Sequence, residues 1–535
     1  MTASTDDFFR SRLDHMIDLR HPLAVLASRM PWQEIEASLA HRFARQAKAG
    51  KKIEDIDLFG ATVVLNGAGV SNAGRPRLPL RLMASLLYLK HAFNESDEDV
   101  CQRWGETPTW QYFCGLSYFE HRGPCDPTLL VKFRKLIGEE GVEELLARTI
   151  EVAVTLKLIA KSELSQIIVD STVQEKAITH PTDSKLLGTA RAKLVEAAKA
   201  QGIELKQTYA KEGQLLGYKA GRYAHARQYK RMRKVIQRQR TIVGRLQREV
   251  GRKMSALGLG VQEALGHTLS QAQRLISQTA SRKNPGKQGK LYSWHAPEVE
   301  CISKGKSRTP YEFGVKVGIA TTAQGNLIVG ARTFPGNPYD GHTLNEQLEQ
   351  ASILMQATGM QPETVYVDLG YRGVDQVNPG IDIKHRGKFK SLTEQEKKML
   401  KRRQAIEPII GHLKADHRMN RCHLKGADGD SLHAVLCAAG YNIRWLLRMI
   451  VKKKLGLFFA AVASSGFDRF QRFAAQITRN LHRQSEQVRF HELGGGLKVD
   501  FSGTTIYCLP HIRTNNKKSV PQSSHQSKTV SRARG

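Results

Sequence analysis

Cysteine is scarce in this chain of 535 residues: there are seven, an odd number, and no CxxC pair occurs among them. That excludes a zinc ribbon, a thioredoxin-type site and the disulfide framework of a secreted domain, and it suits a reducing compartment. Long hydrophobic runs are missing too. LGLFFAAVAS, from Leu455, is too short to span a bilayer, and the apolar segment 434–450 carries Arg444 and Arg448. The opening MTASTDDFFR is acidic and has no apolar centre, so it does not read as a signal peptide. Acidic residues are under-represented, with 50 Asp plus Glu against 82 Lys plus Arg, a net charge of +32. A chain this basic repels itself when unbound and calls for an acidic partner, nucleic acid first and an anionic membrane surface second. The expected class is a bacterial cytoplasmic, nucleoid-associated protein with no membrane partner. Hydrophobic residues make up 40%, enough for a substantial core and too many for a wholly disordered chain.

The first 160 residues read as helical. Apolar residues fall at helical spacing in FFRSRLDHMIDL and WQEIEASLAHRFA, and again from Leu78 to about Ile159. Between them, residues 51–77 hold Gly60, Gly67, Gly69, Gly74 and Pro76 and read as a linker. Asp126-Pro127 is a helix start, with Asp as N-cap and Pro at the first position. A small helical DNA-binding module and a bundle that serves only packing both fit this pattern.

The chain then changes character. Gln166 to Asp170 is a short apolar run ending in a carboxylate. Residues 185 to about 283 are almost entirely helix-forming, and between Gly221 and Lys253 stand twelve Lys or Arg and one acid, Glu249. Val235, Ile242 and Leu246 keep part of a heptad, with Gln239 where an apolar residue belongs. We read this as a long basic helical pair. A solvated face is the plain alternative, although one-sided charge favours phosphate contact.

From Tyr311 the period becomes two. Tyr311, Phe313, Val315, Val317 and Ile319 predict a strand, Gly325-Asn326 a turn, and Leu327 to Phe334 the returning strand. Thr343 with Glu346 predicts a capping box that opens a helix stopping at Gly359. Thr364 to Asp368 is a further strand ending in an acid, and Ile381 to His385 another. Ser391 with Glu394 predicts the capping box of a helix leading to Glu407. The order suits an α/β fold with a mixed sheet covered by helices, interrupted after its first strand by the block 185–299.

If the strands ending in Asp170 and Asp368 are neighbours, the two carboxylates emerge side by side. Such a pair needs a proton, a cation or separation, and oxygen-only ligands suit Mg²⁺ or Mn²⁺. An Asp at a strand end also serves as an ordinary turn or cap residue. Glu407 would be the third acid. On a continuous helix Arg403, Glu407 and Lys414 fall within about 40° of one direction, although Pro408 disfavours helical geometry at Glu407. Arg403 and Lys414 are then either phosphate contacts or plain surface partners of Glu407.

Asp170 in VDSTVQEKAITHPTDSKLL, Asp368 in YVDLGYRG and the run Arg403-x₃-Glu407-x₆-Lys414 resemble the DDE motif of bacterial insertion-sequence transposases, in particular the IS-five group of the IS-four superfamily. RLPLRLMASLLYLKHAFNESDEDVCQRWGE, KSRTPYEFGVKVGIATT and FPGNPYDGHTL support it, and the resemblance runs from about Asp7 to about Ile450. The superfamily's Glu signature carries a Tyr three residues before the Arg, where this chain has Leu400.

The resemblance implies a ribonuclease H-like catalytic domain, over 161–184 and 300–450, preceded by an all-helical N-terminal DNA-binding domain over 1–160. A basic helical insertion spans 185–299 and a basic tail 451–535. It implies two Mg²⁺ ions, replaceable by Mn²⁺, held by Asp170, Asp368 and Glu407. Water would cut the phosphodiester at a transposon end, and the freed 3′-hydroxyl would attack target DNA with no covalent protein–DNA intermediate. It further implies Arg403 and Lys414 on phosphates near the cut, double-stranded DNA as partner through terminal inverted repeats and a target site, and a homodimer in the DNA complex.

Other residues carry weaker signals. His342 and Asp340 in YDGHTL approach the metals or DNA, or serve a turn and a helix start. Tyr371 and Arg372 contact a base, or form a structural turn. Trp104 and Trp110 insert at DNA, or anchor the core. The tail from Arg513, with six Lys or Arg and no acid, adds non-specific DNA affinity or has no function. Two further readings of the whole remain: a non-catalytic DNA-binding protein on a transposase scaffold, and a nuclease without strand transfer.

Overall fold

A computed structural model describes residues 11–43, 55–56, 62–63, 77–254, 257–280, 289–303, 310–373 and 378–464. The chain divides into two units, Met1–Lys454 and Leu455–Gly535. The elements below belong to the first unit, apart from the last residues of the final helix. The basic tail expected from Arg513, and most of the linker expected at 51–77, lie outside the described residues.

Seven helices come first: α1 (Leu13–Met16), α2 (Pro22–Arg29), α3 (Trp32–Ala40), α4 (Leu80–Ala92), α5 (Asp97–Glu106), α6 (Pro108–Phe113) and α7 (Pro127–Thr155). The N-cap at Asp126 is as predicted: its carboxylate accepts the Thr128 N–H, and Pro127 fills a position that needs no donor. Gly138, at φ +64°, breaks α7 into two helical runs. Trp104 and Trp110 are each 2% exposed, so they are the core anchors of this region and the DNA-insertion reading is set aside.

One mixed sheet follows. Its strands are β1 (Gln166–Glu175), β2 (Glu300–Ser303), β3 (Tyr311–Thr322), β4 (Ile328–Phe334), β5 (Thr364–Tyr366) and β6 (Asp382–Lys384). β3 pairs antiparallel with β1 along one edge and with both β2 and β4 along the other. β5 lies parallel to β1, and β6 parallel to β5. With β2 set apart, the order is β4-β3-β1-β5-β6, an α/β arrangement consistent with the ribonuclease H-like sheet the resemblance implies. Hydrophobic residues of the helical region and of the sheet form one continuous core.

Between β1 and β2 stand α8 (Asp183–Ala200), α9 (Ala210–His225), α10 (Tyr229–Met254) and α11 (Leu259–Ala280). These are four helices where the sequence pattern suggests a pair. Val235, Ile242 and Leu246 are buried in a core of their own, and Gln239 sits in that seam with its amide directed at the Ser184 carbonyl.

The chain then forms α12 (Asp340–Met355), α13 (Glu394–Arg402), α14 (Ile406–Asp416) and α15 (Gly426–Ser464). Both predicted capping boxes are corrected. The Thr343 hydroxyl donates to the Asp340 carbonyl inside α12, so that helix starts one turn earlier. The second box is Thr393 with Glu396, two residues later than predicted, because residues 386–391 already form a 3₁₀ turn. Gly318 and Gly330 let α12 close onto the sheet, since a Cβ on either would lie within 2.5 Å of the Gln347 amide. By length and composition α15 could cross a membrane, but its apolar window is 72% buried within the protein. There Asn442 bonds both backbone groups of Ile328 and the Thr149 hydroxyl, tying α15 to β4 and α7.

Candidate active site

The parallel register sets Ile168 of β1 opposite Tyr366 of β5. Carried on by two residues past the end of β5, that register sets Asp368 level with Asp170, next to strands that lie about 4.8 Å apart where they pair. Asp170 is not at a strand end: β1 continues to Glu175, and Asp170 lies where its parallel partner has stopped. Both carboxylates are half-buried. Asp368 also serves as a cap, Oδ1 accepting the Gly370 N–H at 2.8 Å. Asp170 Oδ1 accepts its neighbour's N–H, that of Ser171, at 2.8 Å.

A third aspartate joins them. Asp340, the first residue of α12, receives Lys316 Nζ at 3.1 Å, and Lys316 also reaches the Pro338 carbonyl at 2.6 Å. A Cβ on Gly370 would lie 2.9 Å from Asp368 Oδ1 and 3.3 Å from Asp340 Oδ2, so the two carboxylates face one another across a gap only glycine leaves open. All three aspartates act on the phenol of Tyr371. Burial pushes that phenol well above its usual range, and the charges of Asp340, Asp170 and Asp368 push the same way. Only the nearby Thr343 hydroxyl pushes the other way.

Tyr371 is only 1% exposed, so the expected DNA contact is corrected: the ring is core, and the structural-turn reading fits its burial. Arg372 is exposed, with Nε on the Leu369 carbonyl at 3.3 Å. His342 is exposed on the first turn of α12, its ring edge-on to Tyr339. Leu400 is 5% exposed and packs in the core.

The helix carrying Glu407 is not continuous. α13 stops at Arg402, a 3₁₀ turn covers Arg403–Ala405, and α14 starts at Ile406. Pro408 therefore sits in a first turn, where its missing N–H costs nothing. The restart sends the two cations elsewhere than to Glu407. Arg403 Nη1 lies 3.4 Å from Asp170 Oδ2. Lys414 Nζ lies 3.4 Å from Glu312 and 3.8 Å from Glu175. Arg402 anchors the break by bonding the Ala323 and Gln324 carbonyls of the β3–β4 turn, at 2.8 and 2.5 Å. Glu407 itself is exposed, and no hydrogen bond or ion pair holds it among the described residues. Asp170, Asp368 and Glu407 do not close to within 4.8 Å as a set.

The site is thus an aspartate pair, with Asp340 beside it, Arg403 on one flank and Glu407 on an adjoining helix. Neighbouring carboxylates form an oxygen-only donor set, which fits a hard divalent cation and offers nothing to a soft one. Sequence reasoning gave Asp340 only as a weak candidate and missed Lys316 and Arg402. The signal for Asp340 was its place at a helix start, whereas Lys316 read as one more residue of an alternating strand.

Two family models match this chain. "Transposase domain (DUF772)" covers residues 11–136, and "Transposase DDE domain" covers residues 278–443, which include Asp368 and Glu407 but not Asp170. A protein of Rhizobium meliloti called "Uncharacterized protein ORF8 in nfe locus" is 38% identical over 228 residues, 43% of this chain and 97% of that protein. No solved structure matches. With the mixed sheet, its aspartate pair and both family matches in agreement, the chain belongs to the DDE transposases.

Proposed function

We propose that this chain cuts DNA at the ends of a mobile element and joins the freed 3′-hydroxyl to target DNA. The reading is supported by the parallel register of β1 and β5, which carried two residues past the end of β5 sets Asp368 level with Asp170, and by Arg403 at 3.4 Å from Asp170 Oδ2. Asp170, Asp368 and Glu407 would hold two Mg²⁺ ions, which Mn²⁺ can replace, and Asp340 lies near enough to contribute. Bound there, the ions would supply Lewis acidity for in-line displacement at phosphorus. Arg403 meets a phosphate oxygen by exchanging its contact with Asp170, and Lys414 does the same from its acidic partners. Exposed Arg372 and His342 contact the flanking backbone. The helical region 1–160 takes part in reading the terminal inverted repeats, and the insertion grips phosphates. Two copies act together on paired ends, in the bacterial nucleoid. The motif phrases support membership of the IS-five group.

The test is cleavage of a plasmid carrying the element's ends, with Mg²⁺ or Mn²⁺. Asp170→Asn, Asp368→Asn and Glu407→Gln are each expected to abolish nicking while DNA binding survives. Measurable cleavage by all three variants overturns the reading. The exposed, unpartnered Glu407 and the buried Leu400 favour one alternative, a DNA-binding protein without catalysis on the same scaffold. It predicts a footprint with no metal-dependent nicking. Joining of a pre-cut end to plasmid DNA separates strand transfer from simple nuclease action.

A further inference from the structure

Away from the aspartates, His91, His433 and Cys437 form a closed cluster in the protein's interior. Their ligand atoms all lie within 4.8 Å of one another, and the residues are 1%, 4% and 0% exposed. His91 is on α4. His433 and Cys437 stand at i and i+4 on α15, so one helix face presents both. Gly440 makes the crossing tight, because a Cβ there would lie 2.5 Å from the backbone of His91.

The geometry points to a zinc site: we propose that His91, His433 and Cys437 bind one Zn²⁺ ion and thereby staple α4 to α15. Cys437 Sγ lies 3.7 Å from His91 Nδ1. Tetrahedral zinc with bonds of about 2.1 Å to nitrogen and about 2.3 Å to sulfur sets those atoms about 3.6 Å apart. His433 Nε2 points at the Arg418 carbonyl, 2.9 Å away. That is how metal-bound histidines are usually oriented, one nitrogen on a carbonyl and the other left for the ion. His417 Nδ1 meets the His91 carbonyl at 2.8 Å and steadies the same turn. Burial keeps both imidazoles neutral, with His433 down to about 3. On binding, the Cys437 S–H bond is replaced by a Zn–S bond and the proton leaves to solvent. Burial and the neighbouring Cys422 push the Cys437 thiol well above its usual range and Lys90 and Arg418 offset this only in part, so the Zn–S bond itself must carry the deprotonation.

The site would have a structural role. It joins a helix of the segment 11–136 to the final helix of the segment 278–443, the two stretches matched by separate family models. The aspartates of the candidate active site offer only oxygen, so a sulfur signature separates the two metals.

The test is elemental analysis of the full chain purified without chelator, then Co²⁺ titration of the zinc-free protein. About one zinc per chain and a near-ultraviolet thiolate-to-cobalt charge-transfer band are expected. Cys437→Ala should lose both, whereas Asp170→Asn should keep both. His433→Gln serves as the second variant in case Cys437→Ala does not fold, and it should cut zinc content at least tenfold. Wild-type protein without zinc and without the thiolate band overturns the proposal. So does a band that persists in Cys437→Ala, which would assign it to another thiol pair such as Cys101 and Cys125, 4.0 Å apart.

Discussion

Arg403 Nη1 lies 3.4 Å from Asp170 Oδ2, so this cation answers to an acid 233 residues away and not to Glu407, four residues along the chain. The helix tightens into a 3₁₀ turn at Arg403–Ala405, just ahead of the first turn of α14 that carries Glu407. A cation on a proposed metal ligand stands ready for a phosphate oxygen once an ion takes its place. Arg403→Ala should therefore lower single-turnover nicking by about 10²–10³-fold, the usual cost of losing one preorganised donor. DNA binding should change far less. Arg403→Lys should recover only part of the rate, because a point charge lacks the guanidinium fork. Unchanged nicking in Arg403→Ala would leave the residue as a structural partner of Asp170.

Asp340 gives a second test. It faces Asp368 across Gly370 and is held by Lys316. If it helps to hold a cation, Asp340→Asn should raise the Mg²⁺ concentration needed for half-maximal nicking by about tenfold or more, on the order seen when a supporting ligand is removed. Saturating Mg²⁺ should restore much of the rate. A titration that superimposes on wild type would confine Asp340 to its ion pair with Lys316. Gly370→Ala should resemble Asp340→Asn, because its methyl would push into both carboxylates.

The helical region carries a buried ion cluster whose acid sensitivity can be worked out. Asp97 receives two hydrogen bonds from Arg134, at 2.7 and 2.6 Å, and one from Lys90 at 2.9 Å. Burial alone would raise the Asp97 carboxyl, but the Arg134 bonds and the Lys90 charge more than reverse this and hold it at about 2. The unfolded chain takes up the proton near the ordinary value of about 3.9, before the folded protein does. The contribution is thus complete above about pH 4 and is lost as pH falls towards 2, amounting to about 2–3 kcal/mol. Asp97→Asn should cost about 3–5 kcal/mol at pH 7, because Arg134 is left buried without its counter-charge. It should also flatten the loss between pH 4 and 2. Urea unfolding of both proteins across that range checks the sign and the size.

The strand from Tyr311 was legible from period two, and those at Gln166 and Thr364 from apolar runs that each meet a carboxylate, whereas Glu300–Ser303 carries neither signal. What could not be read was anything that depends on where a helix breaks. LTEQEKKMLKRRQAIEPIIGHLK reads as one amphipathic stretch, and only tertiary bonds from Arg402 to the β3–β4 turn show why it stops and restarts. The capping box moved from Ser391 to Thr393 for a similar reason, since a 3₁₀ turn had used the preceding residues. The spacing His433-x₃-Cys437 was visible, but an apolar helix with one histidine and one cysteine is ordinary until His91 is brought against it. The insertion's charge was legible and its four-helix packing was not, because α8 and α11 carry their apolar positions less regularly than α10.

That charge supports the last prediction. On α10, Lys230, Lys234, Arg245, Arg248 and Arg252 are exposed and fall within about 60° of one direction at about 100° per residue. Val235, Ile242 and Leu246 face the insertion's own core instead. Acidic partners are few: Glu212 takes Arg238 and Glu249 takes Lys253, and both of those cations lie off the stripe. A stripe of this kind fits a phosphate backbone, and neutralised phosphates release counter-ions. Replacing Lys230, Lys234 and Arg245 by Gln should therefore weaken binding to specific and random DNA alike. It should also reduce the slope of log affinity against log salt by about 0.9 for each phosphate no longer neutralised. Nicking at saturating DNA should stay near wild type, since these residues lie outside the aspartate site. If the slope is unchanged, the stripe is a solvated face and the grip on DNA belongs elsewhere. A changed slope together with a loss of discrimination between element ends and random DNA would instead give α10 a part in end recognition.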